Sequence, residues 1–229
     1  MKCIQEIVII LQARMNSQRV PNKMLRPFAD SNLFEIAINK LLQSKIIPKE
    51  NIYVSVYEPE LKNIADKYDI NIYHRSKDSA NNDNSLQKIY EWHDKLTFKY
   101  VIKINACSPL LTIETIDTFV NKFINQPEDN LFGVIPLKDY FWNKSGQLIT
   151  PWPADQTIMN TKAVEVTYKA AHVLYASRLD LISKNMFMGD FQKDNGIKLY
   201  PMDELECFDI DYEWQFNIGD ILYKSLYNV

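Results

Sequence analysis

The run Ile7-Val8-Ile9-Ile10-Leu11, followed at once by Gln12-Ala13-Arg14-Met15-Asn16-Ser17-Gln18-Arg19-Val20-Pro21-Asn22-Lys23, decides how the rest of the chain is read. Five consecutive apolar residues, mostly β-branched, predict a strand buried on both faces in a largely parallel sheet. Downstream, Leu33, Ile36, Ala37, Leu41 and Leu42 recur at helical spacing, with Asn32 and Glu35 ahead of them as a capping box. The alternation then repeats. Strands are expected at Ile52–Val56, Ile70–Tyr73 and Tyr100–Ile104, and helices at Leu61–Tyr68, Leu86–His93 and Ile113–Ile124. Repeated strand–helix units imply a mostly parallel sheet with helices on both sides. Ligands of such sheets gather at the carboxyl ends of the strands, so the loops after Leu11, Tyr73 and Ile104 are where chemistry is expected.

The pattern breaks after a strand at Leu131–Ile135. Residues 138–168 hold Tyr140, Phe141, Trp142 and Trp152 among prolines and turn residues, without a helical period. They read as an extended arm inserted in a single domain of residues 1–229, one that covers the site or reaches a partner subunit. A strand at Val173–Ala176, a short helix at Leu179–Ser183, a strand at Ile197–Tyr200 and an amphipathic helix over Tyr212–Leu226 complete the chain.

The chain's 229 residues are 46% hydrophobic, enough for one sizeable α/β core, and a 24% charged, 12% aromatic composition excludes general disorder. A net charge of −3 without a basic block disfavours a nucleic-acid-binding module or a polybasic membrane anchor. No apolar stretch reaches the length of a membrane span. The three cysteines, Cys3, Cys107 and Cys207, lie far apart with no C-x-x-C spacing, so neither a disulfide framework nor a zinc site is expected. Ile7–Leu11 is too short, and too acidic at its flank, for a signal peptide. A reduced, cytoplasmic protein is expected.

The loop after the first strand carries Arg14, Arg19 and Lys23, interleaved with small polar donors. Fixed positive charge and hydrogen-bond donors are what a triphosphate needs, although a solvated basic loop has the same composition. The Walker spacing G-x-x-x-x-G-K-[ST] is absent. The stretch resembles the signature of the cytidylyltransferase family, which makes CMP-activated sugar acids and includes the CMP-sialic acid synthetases. That signature, A-R-G-G-S-x-R-x-P-x-K, is matched by Ala13, Arg14, Ser17, Arg19, Pro21 and Lys23. The variant Q-A-R-M-x-S-x-R-x-P-x-K of the spore-coat polysaccharide branch is matched more closely still, from Gln12 through Met15. Met15 and Asn16 stand in place of the two family glycines, and Asn16 is the residue expected to keep a left-handed turn.

Three further segments carry the resemblance. Arg75, Asp83 and Ser85 match a region that helps the family hold its nucleotide and acidic sugar; alternatively Arg75 makes a surface salt bridge and Ser85 starts a helix. Asn105-Ala106-Cys107-Ser108-Pro109-Leu110 falls where relatives carry Q-P-T-S-P-L or G-D-C-P-L, so both the family glutamine and the family aspartate are missing here. Asn105 takes the glutamine's place with a shorter reach, and Cys107 reads as a packed residue. Asp209-Ile210-Asp211 matches the family's metal-binding D-I-D, and hard carboxylate oxygens suit Mg²⁺. Asp211 is also placed to cap the last helix. His172 lies in the strand that lines the family's sugar pocket, as a substrate contact or as a satisfied strand histidine.

The resemblance implies a three-layer α/β sandwich with a mixed, mainly parallel sheet, of the nucleotide-diphospho-sugar transferase kind. It implies that CTP and a sugar acid are converted to a CMP-sugar and pyrophosphate for surface glycan synthesis, with Mg²⁺ as cofactor, and a homodimer. It assigns nucleotide binding to Gln12, Ala13, Arg14, Asn16, Ser17, Arg19, Lys23, Asp83 and Ser85. Substrate binding goes to Arg75, Asn105 and His172, metal to Asp209 and Asp211, and catalysis to Arg14, Lys23, Asp209 and Asp211. Two alternatives stand beside it: a non-catalytic nucleotide- or sugar-binding relative, and a cytidylyltransferase for another acidic or phosphorylated substrate.

Overall fold

The computed structural model describes residues 1–82 and 84–228. β1 (Ile7–Gln12) is buried along its apolar length, and it pairs in parallel with β2 (Ile52–Val56) on one side and β4 (Tyr100–Asn105) on the other. β3 (Asn71–His74), β5 (Leu131–Leu137), β6 (Thr167–Arg178) and β7 (Leu199–Pro201) complete a sheet of seven strands in the order β3-β2-β1-β4-β6-β5-β7. β6 is antiparallel to both of its neighbours, and every other pairing is parallel. The sheet is thus mixed and mainly parallel.

Alternate residues of β1 feed two cores, as the pleat requires. Ile7, Ile9 and Leu11 face the larger one, built with α1 (Leu33–Leu42), α2 (Pro59–Lys67), α5 (Ile113–Asn125) and α6 (Glu213–Tyr227). Val8 and Ile10 face the smaller one, where Trp92, Leu179, Ile182 and Phe187 pack. That second layer is thin, made of two short helices, α3 (Lys77–Asn81) and α4 (Leu86–Ile89), and of short 3₁₀ segments at Glu91–Asp94 and Leu179–Lys184. α1 starts where its cap predicts: the Asn32 side chain accepts the Glu35 N–H at 2.9 Å.

The helix expected through His93 stops at Ile89. Tyr90 leaves helical backbone (φ −110°, ψ 45°), which turns Trp92 fully into the smaller core. β6 is much longer than the expected Val173–Ala176. Its exposed first half carries a register shift opposite β5, and His172 there has a φ of 57°. An extra residue in a strand breaks the two-residue period on which sequence reading depends. Within residues 138–168 a tight turn is held by Asn143, whose Oδ1 accepts from the N–H groups of Ser145 (3.1 Å) and Gln147 (3.0 Å). Tyr140 is buried there against Trp152, ring centroids 5.4 Å apart, while Trp142, Trp152 and Ile158 stay exposed.

Candidate active site

The chain leaving β1 is tied down before it reaches its polar residues. The Ala13 N–H donates to the Ser55 carbonyl at 3.2 Å, and the Met15 N–H to Glu58 Oε1 at 2.9 Å. Val20 and Met24 then anchor the far end in the core. The loop's left-handed residue is Asn22 (φ 55°) and not Asn16, as had been expected. Met15 and Asn16 both keep ordinary backbone, so the loop holds its shape without the glycines.

The side chains between these anchors face a cavity of about 660 Å³ above the ends of β1 and β4. Gln12, Ala13, Arg14, Asn16, Ser17, Arg19 and Lys23 line it, with Arg75, Asn105, Cys107, Asp209 and Asp211. Loops distant in sequence therefore converge at the carboxyl ends of parallel strands, where open α/β sheets bind ligands. Gln12 is fixed by the Trp92 indole, whose Nε1–H donates to its Oε1 at 3.0 Å. Arg75 is buried rather than salt-bridged at the surface, its guanidinium donating to Ser79 Oγ (3.0 Å) and to the Ser79 carbonyl (2.7 Å). Burial first, and the Arg14 charge next, push its pKa down. Ser85 lies off the cavity as the cap of α4, and Asp83 lies outside the described residues. The exposed His172 does not line the cavity, though its carbonyl accepts from Asn105 Nδ2 at 3.1 Å.

The segment Asp209–Asp211 is pinned by its middle residue. Ile210 is fully buried, and its N–H donates to the Cys107 carbonyl at 3.0 Å, so the flanking carboxylates both face the cavity. The Lys23 ammonium donates to the Ile210 carbonyl and lies 3.6 Å from Asp211 Oδ1, which also accepts from Arg19 at 2.7 Å. Asp211 does not cap α6: Gln215 Oε1 does, accepting from the N–H groups of Asp211 and Tyr212 at 2.8 Å each.

Asp209 Oδ1 is buried with no hydrogen-bond partner among the described residues. Desolvation, and then the charge of Asp211, raise this carboxyl above its ordinary pKa. No cluster of three or more histidine, cysteine or carboxylate ligands forms among the described residues. A carboxylate pair with one orphaned oxygen fits Mg²⁺, which takes its other oxygens from phosphates and water. Cys107 is a poor nucleophile, because burial pushes its thiol up to about 11.

The sequence reading missed Asn81, Asn82, Tyr90 and Lys103, which also line the cavity. Lys103 carried a usable signal, as a lone cation inside the apolar run Tyr100–Ile104 of an interior strand. Burial pushes its ammonium down to about 8.

A family model described as cytidylyltransferase matches residues 8–217. Post-translational flagellin modification protein B of Campylobacter coli is 25% identical over 97% of this chain and 97% of its own length. Spore coat polysaccharide biosynthesis protein SpsF of Bacillus subtilis is 23% identical over 55% of this chain and 53% of its own. The structure of a CMP:2-keto-3-deoxy-manno-octonic acid synthetase complexed with CTP superposes with a TM-score of 0.68 at 12% identity, covering 96% of this chain and 99% of that one. That likeness establishes the fold as the one expected. The match over residues 8–217 includes both the Arg14–Lys23 loop and the Asp209/Asp211 pair, and by it this chain belongs to the cytidylyltransferase family of enzymes.

Proposed function

We propose that this enzyme activates a sugar acid with CTP, giving a CMP-sugar and pyrophosphate for surface glycan synthesis. The observation that carries the reading is the convergence of Arg14, Arg19 and Lys23 with Asp209 and Asp211 in one cavity. The acceptor's hydroxyl oxygen bonds to the α-phosphorus of CTP and gives up its proton, while the bond from that phosphorus to the bridging oxygen breaks and pyrophosphate leaves. Arg14, Arg19 and Lys23 orient the triphosphate and offset the charge that grows on the leaving group. Gln12, Ala13, Asn16 and Ser17 supply the neutral loop wall beside the nucleotide, and Arg75 and Asn105 face the same space.

Asp209 and Asp211 would hold Mg²⁺, and the chemistry such an ion supplies when bound is neutralisation of phosphate charge. The relatives named for flagellin modification and spore-coat polysaccharide support a product destined for surface glycans. The exposed aromatics of residues 138–168 support a homodimer formed through that arm, since such side chains favour burial against a partner.

Thermal melts with each of the four nucleoside triphosphates test the nucleotide assignment, because a ligand that binds only the folded state raises Tm by mass action. CTP is expected to give the largest shift, and equal shifts for all four would remove the cytidine assignment. Pyrophosphate release from CTP and Mg²⁺ across a panel of sugar acids and sugar phosphates tests the transfer. Release with none of them would refute it.

A further inference from the structure

The cavity carries a cation that the loop chemistry does not use. Lys103 sits within β4, paired with Ile10 of β1 on one side and Tyr175 of β6 on the other. Its ammonium lies 4.5 Å from the centroid of the Tyr175 ring and 6.0 Å from that of Tyr90. Tyr90 in turn contacts the rings of Trp92 (5.2 Å) and Phe187 (4.9 Å), so the wall behind the ammonium is aromatic and packed. Arg19 and Lys23 each reach Asp211, and Arg75 is held by Ser79. Lys103 forms no ion pair within 4.0 Å among the described residues.

A half-buried cation facing aromatic rings, with only the longer-range charge of Asp209 and no carboxylate within 4.0 Å among the described residues, is costly to keep charged unless an anion arrives. The aromatic faces offset part of that cost and leave the open side of the ammonium to a ligand. It comes from a different element than the triphosphate loop. The loop cations follow β1 and are tied to the Asp211 segment, whereas Lys103 faces β6 across from Tyr175. The cavity thus draws cations from two places in the fold, the loop after β1 and the middle of β4, and only the loop cations are assigned to the triphosphate.

We propose that Lys103, framed by Tyr90 and Tyr175, is the subsite for an anionic group of the acceptor, a carboxylate or a phosphate, and is the residue that makes the acceptor's acid a requirement. This rests on the CTP-transfer reading and deepens it. Lys103 is then a specificity residue: it holds the acceptor's charged end, so that the hydroxyl to be activated is turned toward the nucleotide.

The test compares wild type with K103M, which fills the aromatic slot without charge, and with K103R, which keeps the charge. Calorimetry first measures CTP with Mg²⁺. It then measures, with CTP present, 3-deoxy-manno-octulosonate and N-acetylneuraminate, each beside its methyl ester, and glucose 1-phosphate beside glucose. Wild type is expected to prefer a charged probe over its neutral counterpart by at least about 10-fold, as close buried charge pairs do. K103M should lose that preference to within about 3-fold while binding CTP within about 2-fold of wild type, and K103R should retain most of it. Acids without phosphates, or the reverse, identify which anion the subsite takes.

Weaker CTP binding by about 10-fold in K103M would assign Lys103 to the triphosphate and overturn the proposal. A preference that survives in K103M, or a wild type that prefers no charged probe, would overturn it as well. K103M should melt no lower than wild type, and K103Q replaces it should it not fold. If CTP itself fails to bind wild type, the transfer reading falls. If CTP binds and acid preference is indifferent to residue 103, the transfer reading stands and the subsite alone falls.

Discussion

Replacing Asp209 and Asp211 one at a time with asparagine should move stability in opposite directions and turnover in the same direction. Asp209 Oδ1 is buried without a hydrogen-bond partner among the described residues, and its carboxyl titrates above the ordinary value because of desolvation and the neighbouring Asp211 charge. The folded chain therefore binds this proton more tightly than the unfolded chain. Stability falls as pH rises from about 3.8 through the raised folded pKa, and the penalty is fully present above that range. Asp209→Asn removes the charge while keeping the shape. Relief of one buried, poorly solvated charge should stabilise the metal-free protein by about 1 kcal/mol, or about 2–4 °C in Tm for a domain of this size.

Asp211→Asn instead leaves an amide oxygen to accept from Arg19 but removes the negative charge that pairs with Arg19 at 2.7 Å and Lys23 at 3.6 Å. Both pairs are partly exposed, so the loss should stay within about 1 kcal/mol. Both variants should lose about 10²–10³ in turnover, the usual effect of removing one preorganised charge contact. Melts with and without CTP and Mg²⁺ supply the second readout. Saturation at 100 times the dissociation constant stabilises wild type by about 2.7 kcal/mol, and both variants should forfeit the Mg²⁺-dependent part. An Asp209→Asn protein that melts below wild type without metal, or that turns over normally with an unchanged Mg²⁺ dependence, would refute the reasoning.

Lys40 donates to the Pro109 carbonyl at 2.8 Å, and burial pushes its ammonium down to about 7. Between pH 7 and 10.5 the unfolded chain holds a proton that the folded chain gives up, so this group should raise stability with pH by up to about 1.4 kcal/mol per unit. Lys40→Met should flatten that rise in denaturant midpoints measured from pH 6.5 to 9.5 (~3 units). Gln215→Ala removes the acceptor of two N–H groups at the start of α6; about 1 kcal/mol of stability should go, with a weaker Mg²⁺ response because the Asp211 backbone is no longer held. Light scattering should give twice the 26.9 kDa chain mass, and Trp142→Ser with Trp152→Ser should halve it. A wild-type monomer would end the dimer reading.

The fold was legible because its deciding elements are local. The buried run of β1, the capped start of α1 and the amphipathic face of α5 each announce themselves within a dozen residues. What the sequence concealed depends on neighbours. Hydrophobic pattern alone does not carry β6 back over Thr167–Ala170, although the family resemblance places a strand from Tyr168, because those residues are held by pairing with Val134, Ile135, Pro136 and Leu137 and then dislocated at His172. Tyr90 ends α4 because Trp92 must reach the smaller core and Gln12, a demand set by β1 some eighty residues earlier.

The same division runs through the site. The loop cations and the aspartate pair are each contiguous, so a pattern could find them. Lys103 acquires its surroundings only because the antiparallel β6 inserts between β4 and β5, setting Tyr175 opposite it in register. Strand order is not written in residue spacing, and side chains that owe their chemistry to strand order stay hidden until the sheet is assembled. The missing glycines make the converse case. Met15 and Asn16 read as departures only while the loop's left-handed turn is assigned to them, and Asn22 takes that turn instead. A loop anchored by Glu58, Val20 and Met24 can therefore present Arg14, Arg19 and Lys23 without the two glycines of the family signature.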